Sequence, residues 1–154
     1  MPAIHFTRLF PPDIQPVIEI EKACFRWPWQ PFLFWHEIGC ADSRSYAIRY
    51  TENGNGSRII AYTCQRLLSN ELHILKIAVI RQWRHFGIGS WFLRKCIGLA
   101  LEKGACKAFL CVRPSNHAAV HLYYKLGFQV IGESPGYYSE TGEDALVMGK
   151  NLKE

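Results

Sequence analysis

The feature that most constrains the fold of this chain is a change of hydrophobic period near its midpoint. Before it, three runs rich in β-branched and aromatic residues follow one another: SYAIRY, RIIAYTCQRLL and HILKIAVI. The first two are joined by TENGNGS, and Asn-Gly dipeptides are typical of tight β-hairpin turns. After it, apolar residues recur at helical spacing, at Ile88, Trp91, Phe92, Cys96 and Leu99. The pattern predicts an antiparallel meander followed by a helix.

The flanking segments complete a mixed pattern. AIHFTRL predicts an opening strand, and PPDIQPVIEIEKACF and FLFWHEIGC predict two helices. Later, KAFLCVR predicts a strand, residues 116–126 predict a helix that ends at Gly127, and FQVIG and DALVMGK predict two short strands. We therefore expect an α/β fold in which about seven strands form one mixed central sheet flanked by about four helices.

Length and composition favour one domain. The 154 residues are 49% apolar, which suffices for one hydrophobic core, so we expect a single domain over residues 1–154. No apolar run approaches the roughly 18 residues that span a bilayer, and the N-terminus lacks a signal-peptide pattern. The sequence predicts a cytoplasmic protein, a monomer or weak dimer, with no membrane partner.

Six cysteines and a formal net charge of +5 narrow the range of ligands. The cysteines form no Cys-x-x-Cys pair and no zinc-type spacing with histidine, so no metal site is expected. The basic residues are dispersed rather than arranged in a stripe. This distribution favours an anionic cofactor over direct contact with nucleic acid.

The segment RQWRHFGIGS, between the third meander strand and the helix, has the features of an anion site. Two glycines let a ligand approach the backbone, and a helix N-terminus presents unpaired N–H groups. Arg81 and Arg84 add charge, and Ser90 adds a hydroxyl. The spacing fits neither G-x-G-x-x-G nor G-K-S/T, which argues against a nucleotide hydrolase. On spacing alone, a phosphate site and a simple tight turn both remain open.

Four segments together resemble the GNAT superfamily of N-acetyltransferases. Val79 to Gly89 carries V-x-x-x-x-R-x-x-G-x-G, and VRPSNHAAVHLYYKLGF carries V-R-x-S-N-x-x-A and L-Y-x-x-L-G-F. PGYYSETGEDALVM is similar to the C-terminal hairpin of the RimI subgroup, whose members acetylate the N-terminus of a ribosomal protein, and FRWPW resembles that subgroup's F-P-W. The resemblance covers nearly the whole chain in the same order. It implies one GNAT domain with acetyl-CoA as cosubstrate.

The resemblance also implies roles for individual residues. Tyr123 would be the general acid that protonates the leaving CoA thiolate, and a phenol with a reference pKa of about 10 is protonated at neutral pH. Asn116 would contact the cofactor. Backbone groups of Ile77, Ala78 and Val79 would pair with the pantetheine arm and the acetyl oxygen. The pyrophosphate would lie beside Arg84, on the amides of His85, Phe86, Gly87, Ile88, Gly89 and Ser90.

Cys111 departs from the family pattern. RimI-like sequences carry a glutamate there, in L-E-V-R, which is regarded as the general base. A cysteine on a central strand is most often a small buried apolar residue, and a neutral thiol is a poor base. At pH 7 an α-amine with a reference pKa of about 7.8 costs about 1 kcal/mol to deprotonate, against about 4.6 kcal/mol for a lysine. An N-terminal acceptor therefore tolerates the loss better than a lysine does.

His73 is the candidate for a substitute base, with water carrying the proton. The resemblance implies that it lies on the strand beside that of Cys111, where some N-terminal acetyltransferases place a tyrosine that manages a catalytic water. An imidazole with a reference pKa of about 6.5 can accept a proton at pH 7. The alternative is a structural histidine on a strand face. Glu71 and Glu133 are weaker candidates for the base.

Aromatic residues in two loops are candidates for the acceptor groove. The resemblance implies that Trp29 faces Tyr137 and Tyr138 across a bound peptide, whereas the alternative is a hydrophobic cap over a sheet edge. Arg113, on the same strand face as Cys111, would lower the thiol pKa or pair with a carboxylate.

The sequence thus predicts an enzyme that moves the acetyl group of acetyl-CoA directly to an amine. The preferred acceptor is the N-terminal α-amine of a protein such as a ribosomal protein. Two alternatives remain: a regulatory or scaffold protein that binds acetyl-CoA with little catalysis, and an enzyme that acetylates a small-molecule amine.

Overall fold

A computed structural model describes residues 3–54 and 56–153. The strands in this part of the chain are β1 (Ala3–Arg8), β2 (Tyr46–Thr51), β3 (Ser57–Leu68), β4 (Glu71–Val79), β5 (Lys107–Val112), β6 (Gln129–Tyr138) and β7 (Glu143–Asn151). The α-helices are α1 (Ile14–Cys24), α2 (Pro31–Gly39), α3 (Ile88–Glu102) and α4 (His117–Lys125). None of these helices is long and apolar enough to cross a membrane.

The strands form one sheet in the order β1-β2-β3-β4-β5-β7-β6. Only the pairing of β4 with β5 is parallel. The predicted α/β class and the β2–β4 meander are therefore confirmed. In the turn between β2 and β3, Asn53 and Gly54 have φ values of 45° and 77°, as a tight hairpin turn requires. Asn55, in the second Asn-Gly dipeptide, lies outside the described residues.

Apolar side chains pack on both faces of the sheet. Helices α1 and α2 cover one face, with Val17 and Phe34 against β2 and β3. Helices α3 and α4 cover the other face, with Phe92 and Leu93 among the fully buried side chains. Because both faces are covered, the central strands read as near-continuous apolar runs rather than as an alternating pattern.

The closing strands are longer than the sequence predicts. β6 spans 10 residues and β7 spans 9 residues, instead of two short strands. β6 is an edge strand, so Pro135 within it costs no hydrogen bond of the ladder. Asp144 Oδ1 accepts the N–H of Gly136 at 2.8 Å and holds the extended part. The extension places Tyr137 and Tyr138 at the end of β6.

The parallel pairing of β4 with β5 is short, and this positions the site. It covers only the segment from Glu71 to Ile74 of β4. Leu75 is then the extra residue of a bulge against β3, and a bulge bends its strand. In the described register, 77–79 of β4 and 111–112 of β5 are not paired with each other. The two strands separate there and leave a cleft.

Candidate active site

The cleft between β4 and β5 opens into a groove of about 1590 Å³. All but one of the predicted site residues line it: Trp29, His73, Ile77, Ala78, Val79, Arg84, His85, Gly87, Ile88, Gly89, Ser90, Asn116, Tyr123, Tyr137 and Tyr138. Phe86 does not line it, and its side chain is 74% exposed. The structure thus brings residues from five separate segments to one place.

The start of α3 forms a cradle for an anion. Gly87 is the N-cap residue with φ 78°, and no side chain caps the helix. His85 has φ 68°, and a left-handed residue in a turn is one component of the backbone nests that bind anions. The first N–H groups of an α-helix have no partner within the helix. Acceptor oxygens from a ligand would satisfy them.

Ser90 strengthens this assignment. Its hydroxyl is the one buried side-chain oxygen or nitrogen of the described residues that lacks a hydrogen-bond partner. Ser90 lies in the first turn of α3 and lines the groove. A buried hydroxyl without a partner is costly, and a phosphate oxygen would remove that cost. The residues present therefore fit a pyrophosphate.

Arg84 holds the loop in place. Its Nε donates to the carbonyl oxygen of Val79 at 2.9 Å, which ties the loop to the end of β4. Arg81 is absent from the described lining of the groove. Of the two arginines that the sequence singles out, only Arg84 reaches the cradle, and part of its role is to shape the backbone.

Asn116 begins α4 on the opposite wall. Its Oδ1 accepts the N–H of Ala119 at 3.2 Å, which is an N-cap hydrogen bond. Gly127, with φ 94°, ends the same helix as predicted. The cap fixes where α4 starts, and so where the side chains of α4 enter the groove.

Tyr123 is the main buried polar side chain of α4. It is 6% exposed, and its ring packs edge-on against Phe128 with centroids 6.0 Å apart. Burial, with a smaller effect of Tyr138, raises the pKa of Tyr123 well above its usual range. No hydrogen bond within the described residues engages its hydroxyl. The phenol is therefore protonated and free to donate.

Cys111 is exposed in the groove rather than buried in the core, contrary to the reading favoured from sequence. The strand pleat explains the difference, because Leu110 and Val112 face the core and Cys111 faces the other side. At this point β4 has separated from β5, whereas β7 still pairs beside Cys111 through Val147. Partial burial in the groove raises the pKa of the Cys111 thiol, which favours the neutral form.

Arg113 does not activate this thiol. Its guanidinium pairs with Glu140 at 3.1 Å and Glu143 at 3.4 Å, and it lies 3.9 Å from the ring centroid of Tyr138. The carboxylate of Glu143 also accepts hydrogen bonds from the backbone and side chain of Ser115, each at 3.1 Å. The pairing with carboxylates is thus confirmed. Its effect is to hold the β6–β7 hairpin over the groove.

His73 is paired with a carboxylate on its own strand. Its Nε2 lies 3.1 Å from Oε1 of Glu71, and its ring lies 5.6 Å from that of Phe109. The His73 side chain is 34% exposed, and both His73 and Glu71 line the groove. Glu133 is not among the described lining residues. Of the three candidate bases, only His73 and Glu71 are among the described lining residues.

Two aromatic walls face the groove. Trp29 belongs to the α1–α2 loop (residues 25–30), and its ring lies 5.2 Å from that of Phe34. Tyr137 and Tyr138 belong to the end of β6, with ring centroids 4.9 Å apart. Sequence reasoning missed Lys76, which also lines the groove beside Trp29. No sequence pattern distinguishes a strand lysine that lines a groove from one that points into solvent.

A second group of polar side chains lies away from the groove. Potential ligand atoms of His36, Glu37 and Cys40 lie within 4.8 Å of one another. Glu37 is already held by two hydrogen bonds from the guanidinium of Arg66. A metal ion there would have to compete with that cation, so the cluster carries no metal assignment.

Comparison with known proteins agrees with this geometry. A Bacillus subtilis protein of the ribosomal protein bS18-alanine N-acetyltransferase group is 34% identical over 142 residues, covering 92% of this chain and 91% of the relative. The crystal structure of the Escherichia coli ribosomal-protein-S18-alanine N-acetyltransferase matches with a TM-score of 0.85 at 26% identity, covering 100% of this chain and 96% of that one. Arabidopsis thaliana NAA60 in complex with acetyl-CoA shares the fold, with a TM-score of 0.85 at 17% identity over 97% of this chain and 99% of that one.

The family model of the Acetyltransferase (GNAT) family matches residues 14–128. That range runs from the start of α1 through α4 and includes the cradle, the separated strands and Tyr123. The chain therefore belongs to the GNAT family and is an N-acetyltransferase that uses acetyl-CoA as its cosubstrate.

Proposed function

We propose that this enzyme acetylates the N-terminal α-amine of a protein, with a ribosomal protein as the first acceptor to test. The observation that carries the proposal is the groove beyond the cradle, which Trp29 and the two tyrosines of β6 all line. Two aromatic walls suit an extended peptide, which needs flat apolar surfaces along its length. Relatives named for acetylating an N-terminal alanine support it. With a ribosomal protein as acceptor, the reaction would take place in the cytoplasm.

The residues of the cradle would hold the cosubstrate. The amides at the start of α3 and the Ser90 hydroxyl would bind the pyrophosphate, and Arg84 would keep their loop in shape. The backbone of 77–79, which pairs with β3 but not with β5, would pair with the pantetheine amides in the cleft. Bound acetyl-CoA supplies the acetyl group as an activated thioester. Asn116, at the start of α4, would border the same ligand.

Two proton transfers remain for the protein. His73, supported by Glu71, would accept the proton of the attacking amine through water. Tyr123 would donate its proton to the departing thiolate, which suits a phenol whose raised pKa keeps it protonated. The neutral thiol of Cys111 takes no part in either step. Transfer is then direct, without an acyl-enzyme.

The acceptor class can be tested with three matched amines. We expect a peptide with a free N-terminal alanine to release CoA thiol and to gain one acetyl group at its α-amine by mass spectrometry. The same peptide blocked at its N-terminus, with an internal lysine, should react at least about tenfold more slowly, because its amine costs more to deprotonate. A small amine that reacts faster than the free peptide would contradict the proposal. Cofactor binding without any transfer would favour the scaffold alternative.

Replacing Cys111 tests the missing base. We expect Cys111→Glu to raise kcat/KM for an α-amine peptide by roughly three- to tenfold, because a carboxylate in the groove can accept the amine proton directly. Cys111→Ala should change it by less than about twofold, since the neutral thiol is not used. Steady-state rates with the alanine peptide measure both. A loss above about tenfold in Cys111→Ala would show that the thiol takes part.

Replacing His73 tests the substitute base. His73→Phe keeps a ring against Phe109 and removes the proton acceptor. We expect kcat/KM at pH 7 to fall by about tenfold, because the proton of the attacking amine then lacks its acceptor. His5→Asn, which alters an exposed histidine of β1 outside the groove, is the control. An unchanged kcat/KM in His73→Phe would remove this residue from the mechanism.

A further inference from the structure

Glu21 is a buried carboxylate that the proposed chemistry does not use. It lies on α1 and is 0% exposed. Its Oε1 accepts a hydrogen bond from the hydroxyl of Tyr62, and its Oε2 accepts the backbone N–H of Trp29 at 2.9 Å. The ammonium of Lys76 lies 2.9 Å from Oε2. A buried charge needs such partners, and this carboxylate has three of them.

Burial, reinforced by the charge of Glu21, raises the pKa of Tyr62 well above its usual range. Tyr62 therefore stays a hydrogen-bond donor to Glu21 at every working pH. The carboxylate is fixed from the sheet side, and its remaining contacts point to the α1–α2 loop and to the groove.

Lys76 joins this cluster from the floor of the groove. Its side chain, which follows the bulge of β4, is 13% exposed, whereas that of Glu21 is 1% exposed. The ammonium lies 3.9 Å from the ring centroid of Phe25 and 5.4 Å from that of Trp29. Both rings belong to the α1–α2 loop and line the groove. An ammonium against two aromatic faces adds cation–π attraction to the ion pair.

Two sets of contacts order the α1–α2 loop: Phe25 and Trp29 pack on the apolar core, and the loop also contacts Glu21 and Lys76. Residues 25–30 form no helix or strand. Its two inward rings and the N–H of Trp29 instead converge on Glu21 and Lys76. Ordering a loop before binding removes an entropic cost from the binding step.

We propose that Lys76 is a positioning residue for the acceptor: with Glu21 it holds the α1–α2 loop against β4, so that the aromatic wall is formed before the peptide arrives. This inference rests on the proposed function, since it takes the acceptor to lie along that wall. Lys76 touches neither reacting atom in this role. Its loss should weaken acceptor binding and leave the cofactor cradle unaffected.

Lys76→Met tests the proposal because methionine keeps an unbranched apolar chain and removes the charge. We expect KM for the alanine peptide to rise by about tenfold or more, because the wall must then order on binding. KM for acetyl-CoA and kcat at saturating peptide should stay within about threefold. Lys76→Arg, which keeps a cation, should restore most of the peptide affinity. Initial rates with each substrate varied in turn give these constants.

Two further variants keep the test interpretable. Lys76→Met leaves the carboxylate of Glu21 buried without its cation, so the double variant Glu21→Gln/Lys76→Met removes both charges and avoids a folding defect. Lys95→Met is the matched control: Lys95 is exposed on α3, its ammonium lies 5.6 and 5.8 Å from the rings of Phe6 and Trp91, and it does not line the groove. The control should change no constant by more than about twofold.

Hydrogen–deuterium exchange over residues 25–30 provides a readout that needs no acceptor. We expect faster exchange in both Lys76 variants with methionine, and unchanged exchange in Lys95→Met. An unchanged peptide KM together with unchanged exchange would overturn the inference. An equal loss of both KM values and kcat would do so too. If the wild-type enzyme acetylates no α-amine, the proposed function fails, while the exchange result still decides whether Lys76 orders the loop.

Discussion

Tyr123→Phe is expected to lower kcat for acetyl transfer by about 10²- to 10³-fold and to leave the affinity for acetyl-CoA within about twofold. The substitution keeps the ring that packs against Phe128 and removes the hydroxyl. Without a donor, the CoA thiolate must leave unprotonated, which raises the barrier of the step itself rather than the cost of binding. The measurement is kcat with the alanine peptide, beside the Kd for acetyl-CoA by calorimetry.

Tyr124→Phe is the matched control. Tyr124 follows Tyr123 on α4 but is 52% exposed and lies outside the described lining of the groove. It should leave kcat within about twofold. If Tyr123→Phe also leaves kcat within that range, the proton for the thiolate comes from solvent and Tyr123 is only a packing residue.

The pH dependence expected of Tyr123→Phe follows from the raised pKa of Tyr123 in the wild type. Burial raises the pKa of Tyr123, so the donor form persists to higher pH than for an ordinary phenol. Any alkaline limb of the wild-type profile below about pH 10 therefore belongs to another group. The Tyr123→Phe profile should accordingly be lower and unchanged in shape over that range.

The cradle is the part of the site that sequence predicts best, and the reason is local. Its chemistry lies in consecutive backbone amides, two glycines and the start of one helix, so a single segment such as RHFGIGS carries the signal. The order of strands and helices is equally visible, because hydrophobic period is a local property. The exception is the closing pair: β6 runs on through Pro135, since an edge strand tolerates proline.

Side-chain contacts across the sheet are the part that sequence does not predict. Cys111 is exposed because β4 and β5 separate after Ile74, a property of pairing that neither strand shows alone. Lys76 and Glu21 are 55 positions apart in the sequence, where each has the pattern of an ordinary solvated charge. In the fold, Nζ of Lys76 lies 2.9 Å from Oε2 of Glu21. The exposure of Cys111 and the Lys76–Glu21 ion pair both belong to the proposed acceptor end of the groove. Tertiary packing, rather than local sequence pattern, determines the side-chain contacts there.

The exposed neutral thiol also bears on the choice of acceptor. A carboxylate at Cys111 would stabilise the ammonium form of a bound amine and then take its proton, which helps a strongly basic lysine most. A thiol with a raised pKa does neither. The groove therefore suits an amine that is already partly neutral at pH 7, which is the property of an α-amine.

Gly89→Glu is expected to weaken acetyl-CoA binding by about 100-fold or more. The added Cβ would meet Leu122 Cδ2 at 3.4 Å and Val79 Cγ2 at 3.9 Å, which are ordinary contacts, and the φ of Gly89 is not in the left-handed region. The helix itself therefore tolerates the side chain. The loss comes from a carboxylate placed beside the cradle, where it competes for the N–H groups at the start of α3 and repels the pyrophosphate.

Gly98→Glu is the matched control, which separates the effect of a charge beside the cradle from that of any glycine-to-glutamate change on α3. Gly98 lies on the same helix, with nothing within 4 Å of its added Cβ. Both substitutions replace glycine by a better helix former and add one negative charge. Calorimetric Kd values for acetyl-CoA, with thermal unfolding of each free variant, make the comparison. We expect Gly98→Glu to bind within about threefold of the wild type. Equal affinities in the two variants would show that the start of α3 does not hold the pyrophosphate, and would move the cofactor site elsewhere in the groove.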